Sequence, residues 1–143
     1  MNMEDIMRIL PHRFPILLVD KVIERDEKKI VAIKNVTISE IFFLGHFPEY
    51  PIYPGVLIIE GMAQTAGLLL LKPDQKAVPL FLGIDSARFK SPVRPGDVLR
   101  YEVEIIESKL NMVKVKAKAS VDDRIVATAE LLLGVKKREE QGD

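Results

Sequence analysis

The segment Val56–Leu71, VLIIEGMAQTAGLLLL, constrains this chain more than any other stretch. Pro54-Gly55 stands ahead of it and Lys72-Pro73 behind it, the residue types that start and stop a helix. At about 1.5 Å per residue such a helix runs roughly 24 Å, long enough to cross a small domain. It is apolar on nearly every face, so it must be surrounded by protein rather than lie on a wet surface. Glu60, Gln64 and two glycines interrupt it, which suits a buried core helix better than a membrane span. Gly61 and Gly67 each weaken a helix by about 1 kcal/mol relative to alanine, so close packing is expected at both.

Strands are the expected covering. ILLVDKVIERDEKKIVAIKNVT reads as two strands around the charged turn Arg25 to Lys29, with only a loose apolar alternation in IVAIKNV. After the helix come VPLFLGID, VLRYEVEII, MVKVKAKASV and RIVATAELLLGV. MVKVKAKA sets Met112, Val113, Val115, Ala117 and Ala119 against Lys114, Lys116 and Lys118, so one face of that strand is wet. Asn111 and Asp122-Asp123 fall at the intervening turns. MEDIMRIL is compatible with a short opening helix stopped by Pro11. The order is β, β, helix, β, β, β, β. An antiparallel sheet curved around the helix, an α+β class, buries it with the least chain. A sheet of this kind leaves part of the helix uncovered, which favours dimerisation.

With 143 residues and no repeat or composition break, 1–143 reads as one domain, with a charged tail KKREEQGD at 136–143. Twenty-one basic residues balance 21 acidic ones, which argues against nucleic-acid binding through overall charge. The absence of cysteine excludes disulfides, thiol catalysis and thiolate metal sites. MNMEDIMRILPHR has no long apolar core and is not a signal peptide, so a soluble cytoplasmic protein is expected.

Few residues are placed for chemistry. Of two histidines, His46 lies in Gly45-His46-Phe47-Pro48, where prolines fix the backbone; it reads either as a loop hydrogen-bonder or as a directed base. His12, in LPHRFP, has no obvious partner and reads as structural. Glu60 lies just past the first turn of the long helix, where the positive helix end helps a carboxylate. That does not explain an acid directly after Val-Leu-Ile-Ile. Gln64, four residues on, shares its face and is suited to orient it, which gives Glu60 the makings of a general acid. The backbone N–H groups of Gly55 and Val56 lack intrahelical acceptors and suit an oxyanion. A base, an acid and an oxyanion donor fit proton abstraction beside a carbonyl, provided His46 and Glu60 can meet. Two distant histidines with scattered carboxylates do not give metal-ligand spacing, and no Gly-rich phosphate loop is present. Arg88, Lys90, Arg94 and Arg100, around RFKSPVRPGDVLR, are either solvated loop charges or a cationic patch.

LPHRFPILLVDKV, GHFPEYPIYPGVLIIEGMAQTAG and GIDSARFKSPVRPGD, in this order, resemble the 3-hydroxyacyl-[acyl-carrier-protein] dehydratases of type II fatty-acid synthesis, the FabZ type, over residues 4 to 135. The resemblance implies a hot-dog fold and a homodimer with active sites at the interface, commonly grouped as a trimer of dimers. It implies dehydration of a (3R)-3-hydroxyacyl chain on acyl carrier protein to the trans-2-enoyl thioester, with no metal or nucleotide cofactor. His46 corresponds to the base acting at C2, Glu60 of the partner subunit to the acid at the C3 hydroxyl, and Gly55 or Val56 to the carbonyl donor. Gln64 would steady Glu60. An apolar tunnel between subunits would hold the acyl chain, with Leu80 where several relatives have a gating tyrosine and Phe81 beside it. Arg88, Lys90 and Arg94 become candidate contacts for the acidic carrier protein. Glu49-Tyr50 departs from a common small-polar pair, and Gly61 replaces a frequent alanine, a minor change by sequence. The alternatives are a hot-dog acyl-thioester hydrolase and a non-catalytic acyl-binding subunit; the GHFP histidine and its spacing to Glu60 favour elimination.

Overall fold

Asp122 and Asp123 take positive φ of 49° and 65°, the conformation of a tight hairpin turn, and join the last two strands of the sheet in chain order. The computed structural model describes residues 1–75 and 77–137. Helix α1 (Met3–Ile9) opens the chain behind a capping box in which Asn2 and Asp5 exchange side-chain-to-backbone hydrogen bonds. Strands β1 (Lys21–Arg25) and β2 (Lys29–Asn35) form a hairpin, and a 3₁₀ turn (Ile41–Leu44) leads to helix α2 (Gly55–Leu70). Strands β3 (Ala77–Phe89), β4 (Val98–Lys109), β5 (Met112–Val121) and β6 (Arg124–Lys137) complete the order expected from sequence.

All strands pair antiparallel in one sheet, β1-β2-β4-β5-β6-β3, and α2 packs against β2, β3, β4, β5 and β6. This is the hot-dog arrangement. Ala117 lies opposite Ala129 and Ala119 opposite Ala127, all buried, and these small side chains let the bulky face of α2 approach the sheet. Lys118 pairs with Glu102 at 2.9 Å and Lys114 with Glu130 at 3.4 Å, so the lysines of β5 do form the wet face. In β2, Ile30, Val31 and Ala32 are all fully buried, and consecutive strand residues point to opposite faces. Both faces of β2 are therefore covered there, which accounts for its loose alternation.

Three sequence expectations need correction. The first strand begins at Lys21 and not near Ile16, because the Gln64 side chain takes the Leu18 N–H and the Ile16 carbonyl and removes both from the ladder. Of the charged tail, Lys136 and Lys137 are the last residues of β6, opposite Val78 and Ala77; residues 138–143 lie outside the described residues. The glycine at 61 is not a minor replacement: a Cβ there would lie 2.2 Å from the hydroxyl oxygen of buried Tyr101. Gly67 shows the same close approach more mildly, with a Leu10 methyl 3.1 Å from the position of a Cβ.

Candidate active site

The 3₁₀ turn delivers the chain into GHFP, and His46 is tied down at three points. Its N–H donates to the Phe42 carbonyl at 3.1 Å, its carbonyl accepts from the Ile52 N–H at 3.1 Å, and ring Nδ1 lies 2.8 Å from the Ile52 carbonyl. A carbonyl oxygen only accepts, so Nδ1 carries the ring proton and Nε2 keeps a free lone pair. The Phe47 ring stacks on the imidazole at 4.2 Å. Tyr50, the departure from the common small-polar pair, receives the Arg94 guanidinium over its ring at 4.7 Å and a hydrogen bond from it at its hydroxyl. The GHFP loop is thereby fastened to the turn after β3.

Glu60 sits in the second turn of α2. Its Oε2 accepts from Gln64 Nε2 at 2.9 Å, the pairing that the four-residue spacing predicts. Gln64 is fully buried and cannot rotate freely: Oε1 accepts from the Leu18 N–H at 2.8 Å, and Nε2 also donates to the Ile16 carbonyl at 2.6 Å. The Glu60 side chain is 26% exposed, so within one chain the apolar run covers it only partly. It opens on a cavity of about 40 Å³ lined with His12, Gln64, Pro79, Leu80 and Phe81. That volume suits a water and not an acyl chain. Leu80 and Phe81, the gate candidates, stand at this cavity, each about two-fifths exposed.

His12 is the residue that sequence reasoning missed. It was expected to lie beside no partner, yet its Nε2 is 3.7 Å from Glu60 Oε2. Only the folding of the loop after α1 onto α2 creates this pair, and no local spacing announces it. The loop is held by Arg13, whose guanidinium donates to the carbonyls of Met7, Leu10 and His12. Burial pushes the His12 imidazole below its ordinary value, against the pull of Glu60 and with the help of Arg13.

At the start of α2, Pro54 has no N–H and the Leu57 N–H bonds the Pro54 carbonyl at 3.0 Å, so the Gly55 and Val56 N–H groups are the ones left without an intrahelical acceptor. The Phe89 ring lies against Gly55, where a Cβ would come within 2.9 Å of it. Both border a cavity of about 420 Å³ that also touches Ile52 and Lys90. Phe89 too was not anticipated from its charged neighbourhood. Arg88 and Lys90 are exposed beside it, and the side chain of Arg94 is engaged by Tyr50.

Among the described residues no hydrogen bond or ion pair joins His46 to Glu60, and His46 does not line the Glu60 cavity. Nor do the described residues contain a cluster of three or more potential metal ligands. No described helix is long and apolar enough to cross a membrane.

Residues 10–130 match the FabA-like domain family. The chain is 66% identical over 139 residues to the 3-hydroxyacyl-[acyl-carrier-protein] dehydratase FabZ of Pseudothermotoga lettingae, covering 97% of this chain and 99% of that protein. This chain belongs to the FabZ dehydratase family. It is likewise 62% identical to FabZ of Petrotoga mobilis over 138 residues, covering 96% of this chain and 99% of that one. Among solved structures, a dehydratase heterocomplex, ApeI:P, from Xenorhabdus doucetiae superposes with a TM-score of 0.79 at 19% identity, covering 94% and 92% of the two chains. That likeness carries the fold alone.

Proposed function

We infer that this family member removes water from a 3-hydroxyacyl thioester of acyl carrier protein in fatty-acid biosynthesis, giving the trans-2-enoyl thioester. What carries the reading is the 66% identity to a named dehydratase across 97% of the chain, with His46 and Glu60 both present. His46 Nε2 takes the proton from C2, and the C–H electron pair forms the C2–C3 double bond. The C3–O bond breaks, and the hydroxyl leaves as water with the proton of Glu60. The Gly55 and Val56 N–H groups polarise the thioester carbonyl, which acidifies C2. Gln64 holds the acid in place.

We further propose that each complete site takes His46 from one subunit and Glu60 from another. Among the described residues no hydrogen bond, ion pair or common cavity joins the two groups within one chain, which supports this, and so does β3. Among the described residues this strand pairs only with β6, and its other edge carries Leu82, Ile84 and Phe89, each about half exposed. A long apolar edge of this kind is a liability unless another chain covers it. A second copy pairing along β3 would bring cover to the Glu60 cavity, whose wall includes Leu80 and Phe81, and enlarge it for an acyl chain. A trimer of such dimers is the larger assembly we expect, with Arg88 and Lys90 free to meet an acidic carrier protein.

The test is incubation with a 3-hydroxyacyl carrier-protein thioester. Enoyl absorbance with the thioester intact supports dehydration. Release of free thiol would instead support the hydrolase reading, and neither product would leave an acyl-binding subunit.

A further inference from the structure

Glu60 Oε2 is approached from two sides. Gln64 Nε2 donates to it at 2.9 Å, and His12 Nε2 faces the same oxygen at 3.7 Å. The second distance is longer than a hydrogen bond, but catalytic contacts of a substrate-free site are often long and tighten when substrate binds. The other ring nitrogen, Nδ1, is buried and has no hydrogen-bond partner among the described residues. That favours the tautomer with the proton on Nε2. A proton on Nδ1 would strand a buried N–H and set the Nε2 lone pair against a carboxylate oxygen; a proton on Nε2 aims the single ring N–H at that oxygen.

We propose that His12 is a positioning residue for the acid half of the site. With Gln64 it occupies Oε2 of Glu60, so that the proton Glu60 delivers is carried on Oε1. A carboxylic acid has two oxygens and two proton orientations on each. Two N–H groups on Oε2 leave the proton only Oε1, which fixes the direction from which the C3 hydroxyl is protonated. The segment is built to hold the imidazole there. Pro11 stiffens the chain ahead of it, and Arg13 clamps the backbone through three carbonyls. The charged groups acting on the ring are Glu60 from α2, which favours the imidazolium, and Arg13 from its own loop, which opposes it. Burial also opposes it, so the ring acts as a neutral donor.

This inference rests on the reading of Glu60 as the acid, and the two are tested separately. Glu60→Gln, assayed on a (3R)-3-hydroxybutyryl thioester of acyl carrier protein, tests that reading: retained activity removes it, and His12 with it. For His12, kcat and KM are measured on the same substrate for His12→Leu and His12→Gln, whose amide N–H lies where Nε2 does. The leucine variant is expected to lose roughly 10- to 100-fold in kcat with KM unchanged, the scale of a misdirected catalytic group, and the glutamine variant to regain most of it. A wild-type kcat in the leucine variant, or equal losses in both, overturns the proposal. The contact is also read without altering His12, by following its imidazole resonance against pH in the wild type and in Glu60→Gln. Loss of the Glu60 charge moves the His12 titration to lower pH; an unmoved titration overturns the proposal.

Discussion

A methyl group on Gly61 would lie 2.2 Å from the hydroxyl oxygen and 2.5 Å from the ring carbon Cζ of Tyr101. Tyr101 is fully buried in β4, and its hydroxyl reaches toward the Leu18 carbonyl at 3.5 Å, so neither partner has room to withdraw. Gly61→Ala therefore trades a small gain in helix propensity for overpacking and lowers stability by about 1–3 kcal/mol. The check is the urea midpoint. Tyr101→Leu alone should also destabilise, but the double variant should lose clearly less than the sum of the two. Strict additivity would show that the ring and the glycine are not fitted to each other.

Gln64→Met keeps the volume of the side chain and deletes its hydrogen bonds. The buried Leu18 N–H then has no acceptor, a loss of about 1–3 kcal/mol in unfolding free energy. Glu60 loses its 2.9 Å partner at the same time. The expected outcome is a lower urea midpoint together with a lower kcat. Unchanged kcat in the folded variant would show that Glu60 does not need the amide.

The helix and the strand order were legible because both are written in local patterns: an all-apolar run between Pro-Gly and Lys-Pro, and alternating runs after it. The pairing of Glu60 with Gln64 was legible for the same reason, since four residues make one helical face. What could not be read depends on distant segments meeting. Leu18 looks like strand sequence, and only the Gln64 side chain, buried beside it, takes its N–H out of the sheet. His12 has polar and proline neighbours and becomes interesting only when its loop lands on Glu60. Gly61 shows the middle case. Its cost to the helix announced a close neighbour, but Tyr101 could be named only from the packing.

The His12 imidazole titrates below its ordinary value, about 6.5, because burial disfavours the charged ring. In the unfolded chain the ring takes its proton first as pH falls, so the unfolded state binds more protons between the two values. Stability is accordingly full above about 6.5 and is lost as pH falls through the folded value. Denaturation curves at a series of pH values should show this decline in the wild type and a shallower one in His12→Gln. Identical slopes would mean that the ring is as well solvated in the folded protein as in the unfolded chain.

Among the described residues His46 and Glu60 make no contact with each other and line no common cavity, so a mixing experiment is the test of the shared site. His46→Ala and Glu60→Gln, each alone, should fall by about 10²–10⁴-fold, the usual contribution of a general base or acid. In a mixed dimer one site carries both lesions and the other carries none. Unfolded together and refolded at equal amounts, the two variants should regain about a quarter of wild-type activity, because random pairing makes half of the dimers mixed and completes one of two sites in each. Retained inactivity in dimers verified as mixed, by mass tagging of one variant, would mean that base and acid come from the same subunit. In that case the GHFP loop would have to swing toward α2 of its own chain, against the hydrogen bonds that tie His46 to Phe42 and Ile52.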